Sequence, residues 1–252
     1  MGDPVDAVRA AAPDPARVLL EGLHALKHAL RFGADVTAVV LREGVDLRRA
    51  AAPIAPDLLD RLGAAPVEVP RTVFGGLTPR PPPDGVIAVA RRPAVDPTRV
   101  LGGRAGPVVV LEEPRHLGNV GACVRVAAAA GAAGLLVSGA SDPWHPVAIR
   151  GGAGLQFALP VARIDAVPAI GQGLVAVDPG GALLDPASLP THPVLLFGTE
   201  RDGVRRATLE RAEHVVRLPM QPEVSSLNLA TAVAVVLYAL RGLDERPRWS
   251  VR

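Results

Sequence analysis

Lysine is almost missing from this chain of 252 residues: Lys27 is the only one, and arginine carries nearly all of the positive charge. A guanidinium grips phosphate in a planar, bidentate way and stacks on bases, so the bias suits RNA contact. A GC-rich genome produces the same bias along with much Ala, Gly and Pro, so composition alone assigns nothing. Net charge is scarce too, +2 at neutral pH, which excludes a chain-wide pull on nucleic acid and leaves only a local patch. Cysteine is reduced to Cys123, which excludes an internal disulfide and fits a reducing cytoplasm. No run of about 18 apolar residues is present and no basic start leads into an apolar stretch, so neither a membrane span nor a secretory signal is expected. A soluble, cytoplasmic protein is the expectation. No Gly-x-Ser-x-Gly turn marks a serine hydrolase. His24 and His28 stand one helical turn apart, but no glutamate follows His24 and no third ligand is evident, so a zinc-protease reading fails and no metal is expected.

What remains is a globular composition, 49% hydrophobic, in a chain long enough for one large domain or two modest ones. Residues 1–15 lack a clear period and are expected to form a loose arm. An N-terminal domain is expected over 16–94. Within it Leu19, Leu23, Leu26 and Leu30 recur at helical spacing and Gly33 closes the segment, so residues 17–32 predict one amphipathic helix. Residues 36–41, 67–69 and 85–90 predict strands and 56–62 a short helix, which together make a small α/β layer. The proline cluster at 79–83 reads as a stiff loop. Residues 95–106, with Gly102, Gly103 and Gly106, read as a linker. From 107 to 245 strands and helices alternate. Strands are expected at 107–111, 134–137, 173–177, 194–197 and 214–218, and consecutive β-branched residues in the first indicate a buried parallel strand. The expectation is an open, mostly parallel α/β sheet.

Three stretches of this second domain carry chemistry. In the first, Gly118-Asn119-Val120-Gly121 runs into an alanine-rich helix ending at Gly131. Asn119 is placed to cap that helix, and Arg125 stands almost two turns in, where a buried guanidinium needs an anion. In the second, the apolar strand Leu195-Leu196-Phe197 breaks at Gly198. Gly198 allows close backbone approach, and Glu200 sets a carboxylate at the carboxyl end of the strand, where open α/β sheets bind ligands. The third begins with the strand at 214–218, passes Pro219, Met220 and Pro222, and enters a long apolar helix, with Ser225 or Ser226 free to cap it. A loop so restrained presents its main-chain groups to a ligand.

Asn119, Gly121 and Arg125, then Gly198 and Glu200, then Leu218-Pro219-Met220 with Ser226-Leu227-Asn228, resemble in order the three signatures of the SpoU-type branch of the SPOUT RNA methyltransferases. The resemblance implies a C-terminal SPOUT domain with a deep trefoil knot, and ahead of it a small ribosomal-protein-like domain that holds the RNA substrate. It implies S-adenosyl-L-methionine as cofactor, with Gly198, Leu218, Met220, Ser226, Leu227 and Asn228 at its site. It further implies a homodimer, methyl transfer to a ribose 2′-hydroxyl, and Arg125 as the catalytic arginine, with Asn119 and Glu200 holding it and the surrounding loop. Ribosomal RNA is the preferred substrate, because a substrate domain precedes the catalytic one. Transfer RNA is the alternative, and a catalytically silent RNA-binding or assembly protein is the reading from another class. Two features depart from the common pattern. Glu112-Glu113-Pro114-Arg115-His116-Leu117 lacks the Asp-Pro often found before Asn119, and Gly152 stands where relatives often carry serine.

Overall fold

The computed structural model describes residues 3–61, 65–103, 105–170, 173–199 and 202–242, with the side chains of 58–60 left aside. In chain order the elements are α1 (Pro4–Ala11), β1 (Arg17–Glu21), α2 (Leu23–Arg31), β2 (Val36–Arg42), α3 (Leu47–Ala51), β3 (Val67–Val69), α4 (Arg71–Gly75) and β4 (Val86–Arg91). They continue as α5 (Pro97–Gly102), β5 (Val108–Leu111), α6 (Leu117–Ala130), β6 (Gly134–Ser138), α7 (Pro146–Gly152), β7 (Val161–Ile164) and β8 (Leu174–Leu183). The last are β9 (Val194–Phe197), α8 (Arg206–Leu209), β10 (His214–Arg217) and α9 (Leu229–Arg241). Two compact units result, one of Met1–Ala94 with Trp144–Ala158, the other of Val95–Pro143 with Leu159–Arg252.

The first unit is built on a four-stranded sheet in the order β1-β4-β2-β3, antiparallel except for the β2–β3 pair. Alternate residues Leu19, Ala38, Val40, Ile87 and Val89 share one cluster with Val8 and Ala11 of α1 and Phe74 of α4. Their neighbours Val18, Leu20, Val39 and Ala88 are fully buried as well, because α2 packs against β1 and β4 on the other face.

Two expectations are corrected here. Residues 4–11 are a helix rather than a loose arm: the Asp3 side chain accepts from the Val5 N–H at 2.9 Å, Pro4 opens the helix, and Val8 is 1% exposed. Residues 17–32 are not one helix. Gly22, at φ +97°, breaks the segment into strand β1 and helix α2, and Asp84 reaches over to accept from the Leu23 N–H at 2.7 Å. Strand β1 buries both faces beside β4, so Leu19 falls on the helical period by coincidence.

The segment Trp144–Ala158 joins this unit although its neighbours in sequence belong to the other. Helix α7 packs on β1 and α2, Trp144 meets Phe157 edge-on at 5.0 Å between centroids, and Arg150 pairs with the buried Glu21 carboxylate. Gly154 sits so close to α2 that a Cβ there would lie 2.6 Å from the Ala25 carbonyl oxygen. His28 donates from Nδ1 to the Ala153 carbonyl at 2.7 Å, and burial, the largest cause, holds its pKa below the ordinary histidine value. Gly152, the position of the expected serine, leaves room for Gln156, whose side chain would stand 2.7 Å from a Cβ there.

The second unit is a six-stranded sheet in the order β10-β8-β9-β5-β6-β7, with every pair parallel. Strands β5 and β9 read as continuous apolar runs and are buried at every position, as parallel strands covered on both faces are. One face packs Val108, Val110, Leu136, Leu174, Ala176, Val194 and Leu196 into a single cluster with Val100. Val100 lies on α5, so the expected linker contains a helix, capped by the Asp96 carboxylate and anchored in the core. Strand β7 escaped the sequence reading because its four residues, Val-Ala-Arg-Ile, carry too short a pattern. On the other face α6 and α9 pack on each other, and Arg241 donates to the Ala129 carbonyl at 3.0 Å.

Candidate active site

The chain lays β5, β6 and β7 outward in one direction and then returns to place β8, β9 and β10 on the other side of β5. In open parallel sheets ligands bind beyond the carboxyl ends of the strands at such a reversal. A cavity of about 260 Å³ lies there. Its walls come from the carboxyl end of β9 (Phe197, Gly198, Thr199), the segment after β10 (Leu218, Met220, Ser226, Leu227), the first turns of α9 (Leu229, Ala232), and Val177, Asp178 and Pro179 of β8. Of the residues predicted for the cofactor, Gly198, Leu218, Met220, Ser226 and Leu227 line this space. Asn228 does not. It caps α9, accepting from the Ala230 N–H at 2.9 Å, while its amide donates to Asn119 Oδ1 at 3.1 Å. The cap expected of Ser225 or Ser226 is therefore Asn228, because the helix starts at Leu229.

Asn119 is not a cap either. Helix α6 begins at Leu117 after His116, and Asn119 lies in its first turn, where its side chain accepts from Asn228. This bond ties the start of α6 to the start of α9. Arg125 is exposed on α6, while Val120, Cys123, Val124 and Ala127 turn inward. The expectation of a costly buried cation is corrected: solvent hydrates this guanidinium, and it makes no ion pair among the described residues. Glu200, expected to support it, lies outside the described residues.

The loop after β9 is held by contacts that the motif reading did not foresee. Thr199 and Gly203 pair across a tight bridge, N–H to carbonyl oxygen at 2.9 and 3.2 Å. Gly198 is required for this closure, since a Cβ on it would sit 1.9 Å from the Gly203 carbonyl carbon. At the loop's far end the Glu112 carboxylate, with no exposed surface, accepts from the Arg205 N–H at 2.8 Å, from Arg205 Nε at 2.9 Å and from the Thr208 hydroxyl at 2.7 Å. The hydrogen bond that Arg205 donates to Glu112 raises the Arg205 pKa above its already high ordinary value. Arg115 pairs with Asp202 at 2.8 Å. The acidic pair Glu112-Glu113, which looked like a departure from the family pattern, thus anchors the loop that forms one wall of the cavity.

The sequence pattern of the SpoU rRNA Methylase family matches residues 106–238. The chain belongs to this family. Similar proteins include an uncharacterised tRNA/rRNA methyltransferase of Synechocystis sp., 30% identical over 93% of this chain and 85% of that protein. A 23S rRNA (adenosine(1067)-2′-O)-methyltransferase of Streptomyces laurentii is 30% identical over 92% of this chain and 88% of its own length. Among solved structures, the SpoU methyltransferase AviRb of Streptomyces viridochromogenes, in complex with AdoMet, superposes with a TM-score of 0.75 at 26% identity, covering 95% of this chain and 97% of that one. The parallel sheet described above is that of a SPOUT methyltransferase.

The lining of this cavity suits S-adenosylmethionine. Leu218, Leu227, Leu229 and Ala232 offer apolar surface to a base, while Ser226, Asp178 and the main chain of 198–199 offer a few polar groups, the composition expected of a small-molecule site. Asp178 was missed by the sequence reading. Its signal was Asp178-Pro179-Gly180-Gly181 inside a strand pattern, where Pro and Gly mark a bulge.

Proposed function

We propose that the protein is an S-adenosylmethionine-dependent RNA 2′-O-ribose methyltransferase acting on ribosomal RNA. The observation that carries this reading is the convergence of the second and third signatures on one cavity, with Asn228 of the third bonded to Asn119 of the first. The names of relatives such as the Streptomyces laurentii 23S rRNA methyltransferase support the substrate class and the 2′-O position, and the AdoMet complex of the AviRb neighbour supports the cofactor.

The bound cofactor supplies an electrophilic methyl group on a sulfonium, so the protein's part is to align the attacking hydroxyl and favour loss of its proton. Gly198, Leu218, Met220, Ser226 and Leu227 hold the cofactor, and Asn228 positions the start of α9 against it. Arg125, solvated and unpaired among the described residues, grips the phosphate beside the target ribose and lowers the hydroxyl's pKa. Asn119 fixes the helix that carries Arg125, and Glu200 supports the loop. The same reading includes a trefoil knot, supported by family membership. It includes a ribosomal-protein-like N-terminal domain that holds RNA, a cytoplasmic location, and a homodimer. Val235 and Tyr238, exposed on the otherwise apolar α9 at 42% and 36%, support the homodimer.

The test is transfer of labelled methyl groups to ribosomal RNA and, separately, to transfer RNA. Label that survives digestion as a 2′-O-methylated nucleotide in ribosomal RNA is the expected result. Label in transfer RNA alone moves the substrate to the alternative, and none in either, with cofactor bound, turns the reading to a silent binding protein. The Arg125→Ala variant is expected to bind cofactor normally and to lose about 100-fold or more in rate, the scale of losing one group that stabilises developing charge. Full activity in that variant overturns the role of Arg125.

A further inference from the structure

Strand β8 does not run straight past its neighbour. Val175 and Ala176 pair with His214 and Val215 of β10, but Val216 pairs with Ala182 and Arg217 with Leu183. Residues 177–181 of β8 therefore face no residue of β10, while on the other side Val177 still pairs with Phe197 of β9. This is a large bulge at the carboxyl end of a parallel strand, and bulges beside active sites re-aim side chains. What it re-aims is Asp178, which lines the cavity.

The bulge is rigidly built. Asp178 Oδ1 accepts from the Gly180 N–H at 2.9 Å, closing a side-chain turn. Gly181 presses against the neighbouring main chain so closely that a Cβ would lie 2.5 Å from the Val215 carbonyl carbon, so no other residue closes the bulge in this way. The second carboxylate oxygen faces Gly203, 3.3 Å from where a Cβ on that residue would stand. One oxygen of Asp178 is thus spent on holding its own turn, and the other is presented as an acceptor on the cavity wall.

We infer that Asp178 is a specificity-determining residue that accepts hydrogen bonds from the ribose hydroxyls of the bound cofactor. The inference rests on the proposed cofactor reading and assigns within it a side chain outside the three signatures. Four parts of the cofactor attract a carboxylate: the sulfonium, the methionine amino group, the ribose diol and the adenine N6 amino group, and a 2′-deoxy analogue separates the diol from the adenine. The sulfonium must face the chemistry, and α6, with Asn119 and Arg125, follows β5. Strand β9 separates β8 from β5, so at roughly 4.8 Å per strand Asp178 stands about 10 Å from the strand that feeds α6. It therefore reads a part of the cofactor that does not react. A vicinal diol offers two O–H donors to an acceptor held at the carboxyl end of a parallel strand, the arrangement by which acidic residues select ribose in other open α/β sheets.

Calorimetric titration of the full chain tests this with S-adenosylmethionine, S-adenosylhomocysteine, methylthioadenosine, and the 2′-deoxy analogue of S-adenosylhomocysteine. Asp178→Asn retains the oxygen that accepts from Gly180, so the bulge is kept, and thermal unfolding checks that the variant folds. The charge-assisted bonds lost are expected to weaken the first three ligands by a common factor, about 10-fold to 100-fold. The penalty of the deoxy analogue in the wild type is expected to shrink in the variant, as coupled partners require. Equal affinities in wild type and variant overturn the assignment. A loss confined to S-adenosylmethionine overturns it in favour of the sulfonium, and a loss that spares methylthioadenosine overturns it in favour of the amino group. If the wild type binds none of the ligands, the cofactor reading falls and this assignment falls with it; wild-type binding with an unaffected variant removes this assignment alone.

Discussion

At the scale of single residues, the second signature shows how a motif glycine serves a site indirectly. Gly198 lines the cavity, but what forbids a side chain there is the main chain of Gly203, 1.9 Å from an added Cβ. Gly198→Ala is therefore expected to open the Thr199–Gly203 bridge and weaken cofactor binding even though no ligand contact is deleted. Cofactor affinity and thermal unfolding measure this, and an alanine variant that binds like the wild type sinks it. Glu112 acts on the same loop from its other end. Glu112→Ala leaves the Arg205 main-chain N–H and the buried Thr208 hydroxyl without their acceptor, a loss of about 2 kcal/mol in stability, readable by urea unfolding. In the first unit His28 adds a pH dependence. Its folded pKa lies below the ordinary 6.5, so the unfolded state binds the proton more tightly and stability rises with pH across the window between the two values. The contribution is fully present above about pH 6.5 and is lost as pH falls through the lowered folded value. His28→Gln is expected to flatten that part of the stability profile, and an unchanged profile would refute the assignment.

At the scale of elements, α1 is the piece whose removal tells most. Val8 and Ala11 fill the face of the first sheet that carries Leu19 and Ile87, beside Phe74 of α4, so deleting residues 1–12 is expected to destabilise that unit by about 2–4 kcal/mol, the cost of baring a valine and an alanine and the surface beneath them. Equal stability of the truncated chain, by chemical unfolding, would return the segment to the loose arm its composition suggests. Short amphipathic helices such as α1 and α5 hide in Ala- and Pro-rich stretches, because one or two buried residues set no period; their caps, Asp3 and Asp96, were the only readable signals. Strand β1 was mistaken for helix because Leu19 and Leu23 fit a helical spacing across Gly22, and the φ of +97° at that glycine is visible only in three dimensions. The parallel sheet, by contrast, was legible: Val108–Leu111 and Val194–Phe197 are unbroken apolar runs that only a doubly covered strand accommodates. Much of the cavity lining was legible as well, since Leu218, Met220 and Ser226 follow a strand end within one loop. Asp178 was legible only as part of an irregularity, since Pro179, Gly180 and Gly181 mark a bulge, while its place on the cavity wall depends on the pairing slip between β8 and β10.

At the scale of the whole molecule, chain order and compact units disagree. The backbone passes from one unit to the other after Ala94, returns at Trp144, and leaves again after Ala158, so the first unit is completed by residues that lie between β6 and β7 of the second. Ile149, 1% exposed on α7, and Gly154, packed against the Ala25 carbonyl, are parts of the first unit's interior. The cavity proposed for the cofactor is lined entirely by residues of the second. Damage to the inserted segment should therefore separate two properties that truncation would confuse. Ile149→Ala in the full chain is expected to cost about 2–4 kcal/mol by the cavity it leaves. The loss should appear as faster amide exchange in β1 and α2, with the affinity for S-adenosylmethionine unchanged. Methylation of RNA should fall through weaker substrate binding, a raised KM with kcat kept, if the first unit holds the RNA as proposed. Unaltered exchange in β1 and α2 would place Ile149 outside that unit's core. A lowered kcat at unchanged KM would mean that the first unit serves the chemical step rather than the grip on RNA.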